Sequence, residues 1–303
     1  MEYPRTQVDF DCMFTTDASC LAYLTERRWP EGFRCPRCTH GTAWTIRRGL
    51  QRCQQCDYEL QATNGTIFHR THVPLRQWFR ALWWIVAQKN GVSAQGLKRI
   101  LGLKSYESAW LMLHKIRSLM VLPGRELLSG KVEVDETFVG GVFHGGKRGR
   151  GAEGKICVGV AVEILPTSIG RARLGILPNC GAETLKTFVT DRVALKSQVV
   201  TDGWDGYNNA AAWGYTHTVE EVLVIDGEEI LPNVHRVAAL LKRWLLGTHQ
   251  HFCLKGHLQA YLDEFVFRFN RRNSRSRGLL FDTLIKQAVS AQPRFYKDLI
   301  KVS

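Results

Sequence analysis

An α/β fold, a mixed sheet with helices behind a small metal-bound module and a helical linker, is predicted by three observations. Residues 131–220 alternate apolar strand-like segments with one helical segment. Residues 35–56 carry two C-x-x-C pairs. Residues 74–120 are punctuated by proline, glycine and serine into short helices.

The chain has 303 residues, room for two domains and a small third module at about 150 residues per domain. Motif placement and turn signals set the expected boundaries at 1–70, 71–124 and 125–303, with Pro123-Gly124 at the second break. Hydrophobic residues are 45% of the chain, which supports a real core and excludes global disorder. No run reaches the roughly 18–20 apolar residues of a bilayer span. The stretch MEYPRTQVDFD lacks the basic-then-apolar layout of a secretory signal. A soluble, cytoplasmic protein without a membrane partner is expected. Lys and Arg number 41 against 28 Asp and Glu, a net charge of +13 that favours a polyanionic partner, above all nucleic acid. Part of the excess is clustered. Lys147, Arg148 and Arg150 share the glycine-rich stretch FHGGKRGRGAEGK, which is expected to reach DNA, and Arg268, Arg271, Arg272, Arg275 and Arg277 lie near the C-terminus. Either cluster taken singly also fits a solvated basic face.

The first module rests on cysteine spacing. Cys35 and Cys38 stand in FRCPRCTH, Cys53 and Cys56 in QRCQQCDYE, with fourteen residues between the pairs. Each C-x-x-C turn presents two thiolates, and two such turns complete a tetrahedral four-sulfur zinc site with no open position. The site is therefore structural. WTIRRGL between the pairs opens with strand formers, as a ribbon hairpin requires. Cys12, Cys20, Cys157, Cys180 and Cys253 have no partner spacing and read as small core residues.

In the linker, Pro74 stands at the first turn of a helix, and Trp78, Leu82, Trp83 and Val86 repeat at helical spacing. Asn90-Gly91 ends it. Ser93 caps a short helix to about Leu101, Gly102 closes it, and Ser105 opens a third helix to about Met120. Short helix, glycine turn, longer helix is a helix-turn-helix layout, and a plain helical bundle fits the same pattern. Lys98, Arg99, Lys104 and Lys115 contact phosphate in the first case and aid solubility in the second.

The third region opens with KVEVDETFVGG. Val132 and Val134 take one face of a strand, Glu133 and Asp135 the other. KICVGVAVEIL (155–165) and ARLGIL (172–177) continue the sheet, and AETLKTFVTDRV (182–193) is helical. QVVTDGWDGY (198–207) opens as a short strand ending at Asp202, YTHTVE (215–220) is a fifth strand, and a helix through NVHRVAALLK (233–242) follows. That order is RNase-H-like, with the first and fourth strands as neighbours. Asp135 and Asp202 then face each other. Two close carboxylates repel unless cations neutralise them, and such a pair holds two Mg2+ or Mn2+ ions about 3.5–4 Å apart. Taken alone, each aspartate also fits a turn or cap.

Several blocks, in order, carry a resemblance: WPEGFRCPRC, QRCQQC, TNGTIFHRTHVPL, VEVDETFVGG, TDGWDGY, LLKRWLLGTH and HLQAYLDEFVFRFNRR. Over nearly its whole length the chain resembles bacterial insertion-sequence transposases of the DDE class, in the ISXO-like group with an N-terminal zinc ribbon. The resemblance implies that Asp135 and Asp202 are the first two catalytic carboxylates. It implies binding to terminal inverted repeats and target DNA, hydrolysis that exposes a 3′-OH, and attack of that 3′-OH on a target strand. Two transposon ends are handled together, so a dimer or larger assembly, associated with the nucleoid, is expected.

The family pattern places an acid seven residues before a lysine on the helix after the fifth strand. Here the lysine is Lys242 and the residue seven before it is His235. Both lie on one helix face, two turns apart. Three readings compete: His235 is the third ligand, Asn233 supplies a carbonyl oxygen, or the ligand is lost and the protein is an inactive, domesticated DNA binder. Glu220, Glu221, Glu228 and Glu229 are reach-back substitutes. Lys242 is expected to meet DNA phosphate.

Overall fold

The structure is a computed structural model that describes residues 2–121, 124–140, 155–220, 230–250 and 255–300. The glycine-rich stretch with Lys147, Arg148 and Arg150, and likewise Glu221, Glu228, Glu229 and Cys253, lies outside the described residues. The chain forms two compact units, Met1–Met120 with Ser274–Val302, and Val121–Asn273.

The first unit begins with helices α1 (Gln7–Met13) and α2 (Asp17–Arg28), each opened by a threonine in a capping box. A three-stranded antiparallel ribbon follows: β1 (Ala43–Thr45), β2 (Gln51–Cys53) and β3 (Glu59–Leu60). Helices α3 (Leu75–Ala87), α4 (Ala94–Leu101) and α5 (Tyr106–Arg117) come next. The expected caps are present. Ser93 accepts from the Gly96 N–H, Ser105 from the Ser108 N–H, and Gly102 ends α4 in the left-handed conformation. Helix α5 is not an exposed reading helix along its length: Met112, Leu113, His114, Lys115, Ile116 and Arg117 are all buried. The Lys115 ammonium donates to the Ile67 carbonyl at 3.3 Å, so phosphate contact by Lys115 is ruled out in this fold. Cys12 is exposed rather than a core residue.

The second unit carries β4 (Lys131–Val139), β5 (Ile156–Leu165), β6 (Ser168–Leu177), helix α6 (Ala182–Thr190), β7 (Gln198–Thr201), β8 (Thr216–Val219), α7 (Pro232–His249) and α8 (Leu258–Asn270). The sheet order is β6-β5-β4-β7-β8, antiparallel through the first three strands and parallel through β4-β7-β8. This is the RNase-H-like order, with the first and fourth strands adjacent. Val132, Val134 and Val199 join a core with Leu185 and Phe188 of α6. Val160, Val162 and Val200 join the opposite core with Val234, Val237 and Leu241 of α7 and Phe265 of α8. Alternation along the strands thus sorts side chains to two helix-covered faces.

The chain then returns to the first unit through α9 (Arg277–Ser290) and α10 (Tyr296–Ile300). This differs from the expected third region of 125–303, and a buried ion cluster and an aromatic nest account for it. Asp282 of α9 accepts from Arg27 Nε at 2.9 Å, from the Tyr23 hydroxyl at 2.6 Å and from Lys286 Nζ at 2.8 Å. Phe281 meets Phe10, Phe14, Phe79 and Trp83 with ring centroids 5.6–5.9 Å apart. Such contacts each contribute about 0.5–1.5 kcal/mol beyond area burial.

Candidate active site and metal centre

The four ribbon sulfurs all lie within 4.8 Å of one another. Cys35 and Cys56 are 3.7 Å apart, Cys38 and Cys53 3.5 Å. A tetrahedron with Zn–S bonds of about 2.3 Å has edges of nearly that length. Two matching turns build it. Thr39 N–H returns to the Cys35 carbonyl at 2.9 Å and Asp57 N–H to the Cys53 carbonyl at 3.1 Å. Thr39 and Asp57 both adopt positive φ, 62° and 53°, closing each knuckle over its pair of cysteines. The thiols do not share one proton affinity. Burial raises Cys35, but the N–H groups of Cys38 and Arg37 outweigh it and hold that thiol below its ordinary value. At Cys38 the His40 N–H lowers the pKa, while burial and the neighbouring sulfurs push it above the ordinary value. A cation among the sulfurs removes that conflict, and the donor set fits a structural zinc.

The second site is assembled from β4, the end of β7 and the start of α7. The parallel β4–β7 pairing runs to Glu133 opposite Val200; β4 continues through Asp135, and Asp202 is the first residue after β7. Val200, near the end of β7, faces the α7 core. Burial pushes the Asp135 carboxyl up; the Glu136 N–H at 2.7 Å opposes this, the negative charge of Asp202 adds to it, and His235 lowers it. The Asp202 side chain accepts from Trp204 N–H at 3.3 Å.

His235 Nε2 lies 3.1 Å from Asp135 Oδ2. Asn233 stands elsewhere. Its side-chain amide donates to Glu133 Oε1 at 2.6 Å, and the Asn233 and Val234 N–H groups donate to Glu133 Oε2 at 3.0 and 2.8 Å. Helix α7 receives no cap from its own N-cap residue, Leu231, and has Pro232 in its first turn. Glu133 supplies that cap from the strand, placing a carboxylate at the positive end of the helix dipole. Glu133 is 2% exposed, and its three donors make the burial of a charge tolerable. The bond pattern also fixes α7 against β4, two residues from the His235–Asp135 contact.

A cleft of about 490 Å³ is lined by Asp135, Glu136, His235 and Lys242, together with Lys155 at the entry to β5. Burial lowers the Lys242 ammonium, the positive charge of Lys155 lowers it further, and Asp135 opposes both. Asp202 is not among the residues that line this cleft, although its charge reaches Asp135. Of the predicted residues, the structure therefore brings Asp135, His235 and Lys242 to one cleft, with Asp202 beside Asp135. Glu220, the one described candidate for reach-back, pairs instead with Lys131 at 3.7 Å.

Three participants are not visible in the sequence pattern. Glu133 and Lys155 are two. The third is the buried pair formed by Glu136 and Tyr207, in which the phenol donates to the carboxylate. Tyr207 is the last residue of TDGWDGY, and its closeness to Asp202 in that block is the one signal pointing to it. The C-terminal arginines of the second unit are committed within it. Arg268 bonds Glu264 at 2.9 Å, Arg271 stacks on Phe267, and Arg272 donates to the carbonyls of Phe269, Gly170 and Ile169. Cys157 and Cys180, unrelated by spacing, have sulfurs 3.0 Å apart.

Comparison with known proteins gives matches in both regions of the chain. The family model described as a transposase zinc-ribbon domain matches residues 15–59. The family model described as an ISXO2-like transposase domain matches residues 127–270. A relative from Halobacterium salinarum, described as an uncharacterized protein in transposable element ISH50, is 27% identical over 282 residues, covering 84% of this chain and 91% of that protein.

Proposed function

This chain belongs to the insertion-sequence transposases that join a zinc ribbon to an ISXO2-like transposase domain, and on that premise we propose that it cleaves DNA at transposon ends and joins them to target DNA. The supporting observation is that Asp135 stands on β4 and Asp202 follows directly after the adjacent parallel strand β7, close enough for its negative charge to act on Asp135. Two carboxylates and a nearby imidazole are a donor set that fits divalent metal, with the oxygens suited to Mg2+ or Mn2+. When bound, two such ions supply Lewis-acid charge for phosphodiester displacement.

The chain's own residues do the rest. Asp135 and Asp202 hold the positive charge at the strand ends. His235 completes the acidic pair from α7 and orients Asp135 through its Nε2 contact. Lys242 and Lys155 bind the scissile-strand phosphate across the cleft. In the first step water attacks phosphorus and the P–O3′ bond breaks, freeing a 3′-OH. In the second that 3′-OH attacks a target phosphorus and displaces the target's own 3′ oxygen. Terminal inverted repeats and target DNA are the partners, and handling two ends at once calls for at least a dimer. No helix among the described residues is long and apolar enough to cross a membrane.

The imidazole at the third position favours one alternative, a DNA-binding protein without chemistry. A fluorescent duplex carrying the element's end, incubated with protein and Mg2+ or Mn2+, separates the two. The proposal expects strand cleavage by the parent and none by His235→Ala. Retention of the duplex without cleavage by the parent selects the binder, and parental activity in His235→Ala removes that histidine from the site.

A further inference from the structure

The block TNGTIFHRTHVPL has no part in the chemistry above, yet it forms one wall of a much larger cleft in the first unit, about 1280 Å³. The facing walls come from α2 and from the ribbon turn at Arg48. Resting on the transposase reading, we propose that this cleft is the groove in which the protein grips the sugar-phosphate backbone of duplex DNA, with Arg48 and Arg70 on phosphates.

Charge is the first reason. Arg48, Arg70, His69 and His72 line the cleft, against a single acid, Asp17. Asp17 is already engaged, accepting from the Arg76 N–H at 2.8 Å. The guanidinium groups of Arg48 and Arg70 have no carboxylate or carbonyl partner among the described residues, whereas Arg27, Arg28, Arg268 and Arg272 are all bonded within the protein. Backbone conformation is the second. Arg48 and Arg70 have φ of 59° and 52°, a region where glycine or asparagine is the ordinary occupant. The fold holds two arginines there, one on each side of the same cleft.

Rigidity is the third. Arg28 reaches from α2 to the carbonyls of Gln61, Ala62 and Asn64 at 2.6–3.1 Å, and Gln61 donates to the Arg48 carbonyl at 2.9 Å. The Trp78 indole donates to Thr71 at 2.9 Å, tying the far end of the wall to α3. The walls are thus set before a ligand arrives, and ordering them adds no cost to binding. This surface competes with the α4 turn, where Lys98 and Arg99 are the alternative phosphate contacts.

The test is fluorescence anisotropy of an end-bearing duplex with the zinc-loaded full chain over a range of salt concentrations. Arg48→Gly with Arg70→Gly removes both charges while keeping a residue at ease with positive φ. The expected result is about tenfold weaker binding near physiological salt and a salt slope smaller by about 1.8, since each neutralised phosphate contributes about 0.9. The pair Arg48→Lys with Arg70→Lys restores most of the slope. Unchanged zinc content and melting temperature show that the variants are folded. Parental affinity and slope in the glycine pair, or a full loss carried by Lys98→Ala with Arg99→Ala instead, overturns the inference while leaving the transposase reading intact. A parent that binds no duplex at any salt overturns both.

Discussion

The four-sulfur centre and the proposed catalytic site are built in opposite ways. Cys35, Cys38, Cys53 and Cys56 come from two tight turns within 22 residues, and all four donors are sulfur. Asp135, Asp202 and His235 are separated by 67 and 33 residues; β4 and α7 bring His235 to Asp135, and Asp202, just after β7, acts on Asp135 by its charge. The first site closes on its own ion and stabilises a small ribbon with little core. The second leaves a cleft beside Asp135 and His235, which the proposed reaction uses to admit a substrate phosphate. Local geometry makes the structural centre; the packing of a whole unit makes the proposed reactive one.

The largest effect expected across this contrast is on activity. Asp135→Asn or Asp202→Asn reduces end cleavage more than roughly a thousandfold, since either change removes a charge the reaction needs. Zinc content, measured by metal analysis, stays at about one per chain, because the sites are independent. Loss of zinc together with activity would merge the two sites and break the contrast.

The reverse experiment is next in size. Cys53→Ser, or a strong chelator, abolishes zinc binding and unfolds the ribbon, whose folding free energy is mostly metal-binding free energy. Limited proteolysis reads this as new cleavage between residues 30 and 60. The contrast is sharpened if the strands of the second unit stay protected.

A smaller effect tests the return of the chain to the first unit. Asp282→Asn leaves Arg27 with a weakened buried partner and costs about 3 kcal/mol in urea denaturation. At Asp282 burial raises the carboxyl, but Lys286, Tyr23 and Arg27 outweigh it and hold it below the ordinary value. A carboxyl depressed in the folded state contributes its full stability above its unfolded pKa of about 3.9. That contribution disappears as pH falls through the folded value. The difference between parent and Asp282→Asn therefore shrinks as the medium is acidified below about pH 4.

The smallest expected effect is at Glu133. Glu133→Gln weakens the cap on α7 and lowers stability by about 1–3 kcal/mol, with cleavage falling because His235 loses its fixed position. Its zinc content is parental. Full activity in this variant would show that the cap does not position the site.

Legibility in the sequence follows the same divide. The sulfur site is readable because its spacing is its geometry. The sheet is readable from alternation, and its order places β4 beside β7, so that Asp135 lies on one strand and Asp202 just past the end of its neighbour. Lys242 and His235 fall on one face because seven residues make two turns. Glu133 has no such signal, since its partners Asn233 and Val234 stand a hundred residues away and nothing in VEVDET marks which acid caps a helix. Asn233 resembles a metal ligand for the same reason. Lys115 reads as exposed because a long side chain on an amphipathic helix usually is. The docking of α9 onto α2 and α3 depends on Asp282 and Phe281 finding partners more than 190 residues earlier, which no local pattern records.

The central claim is that Asp135 and Asp202 share a cation site, and Mn2+ titration of the zinc-loaded protein, followed by the EPR signal of the free ion, tests it most directly. Uptake of Mn2+ by the parent, abolished in both Asp135→Asn and Asp202→Asn and weakened in His235→Ala, is the predicted result. Equal uptake by the parent and by the doubly substituted protein would contradict it.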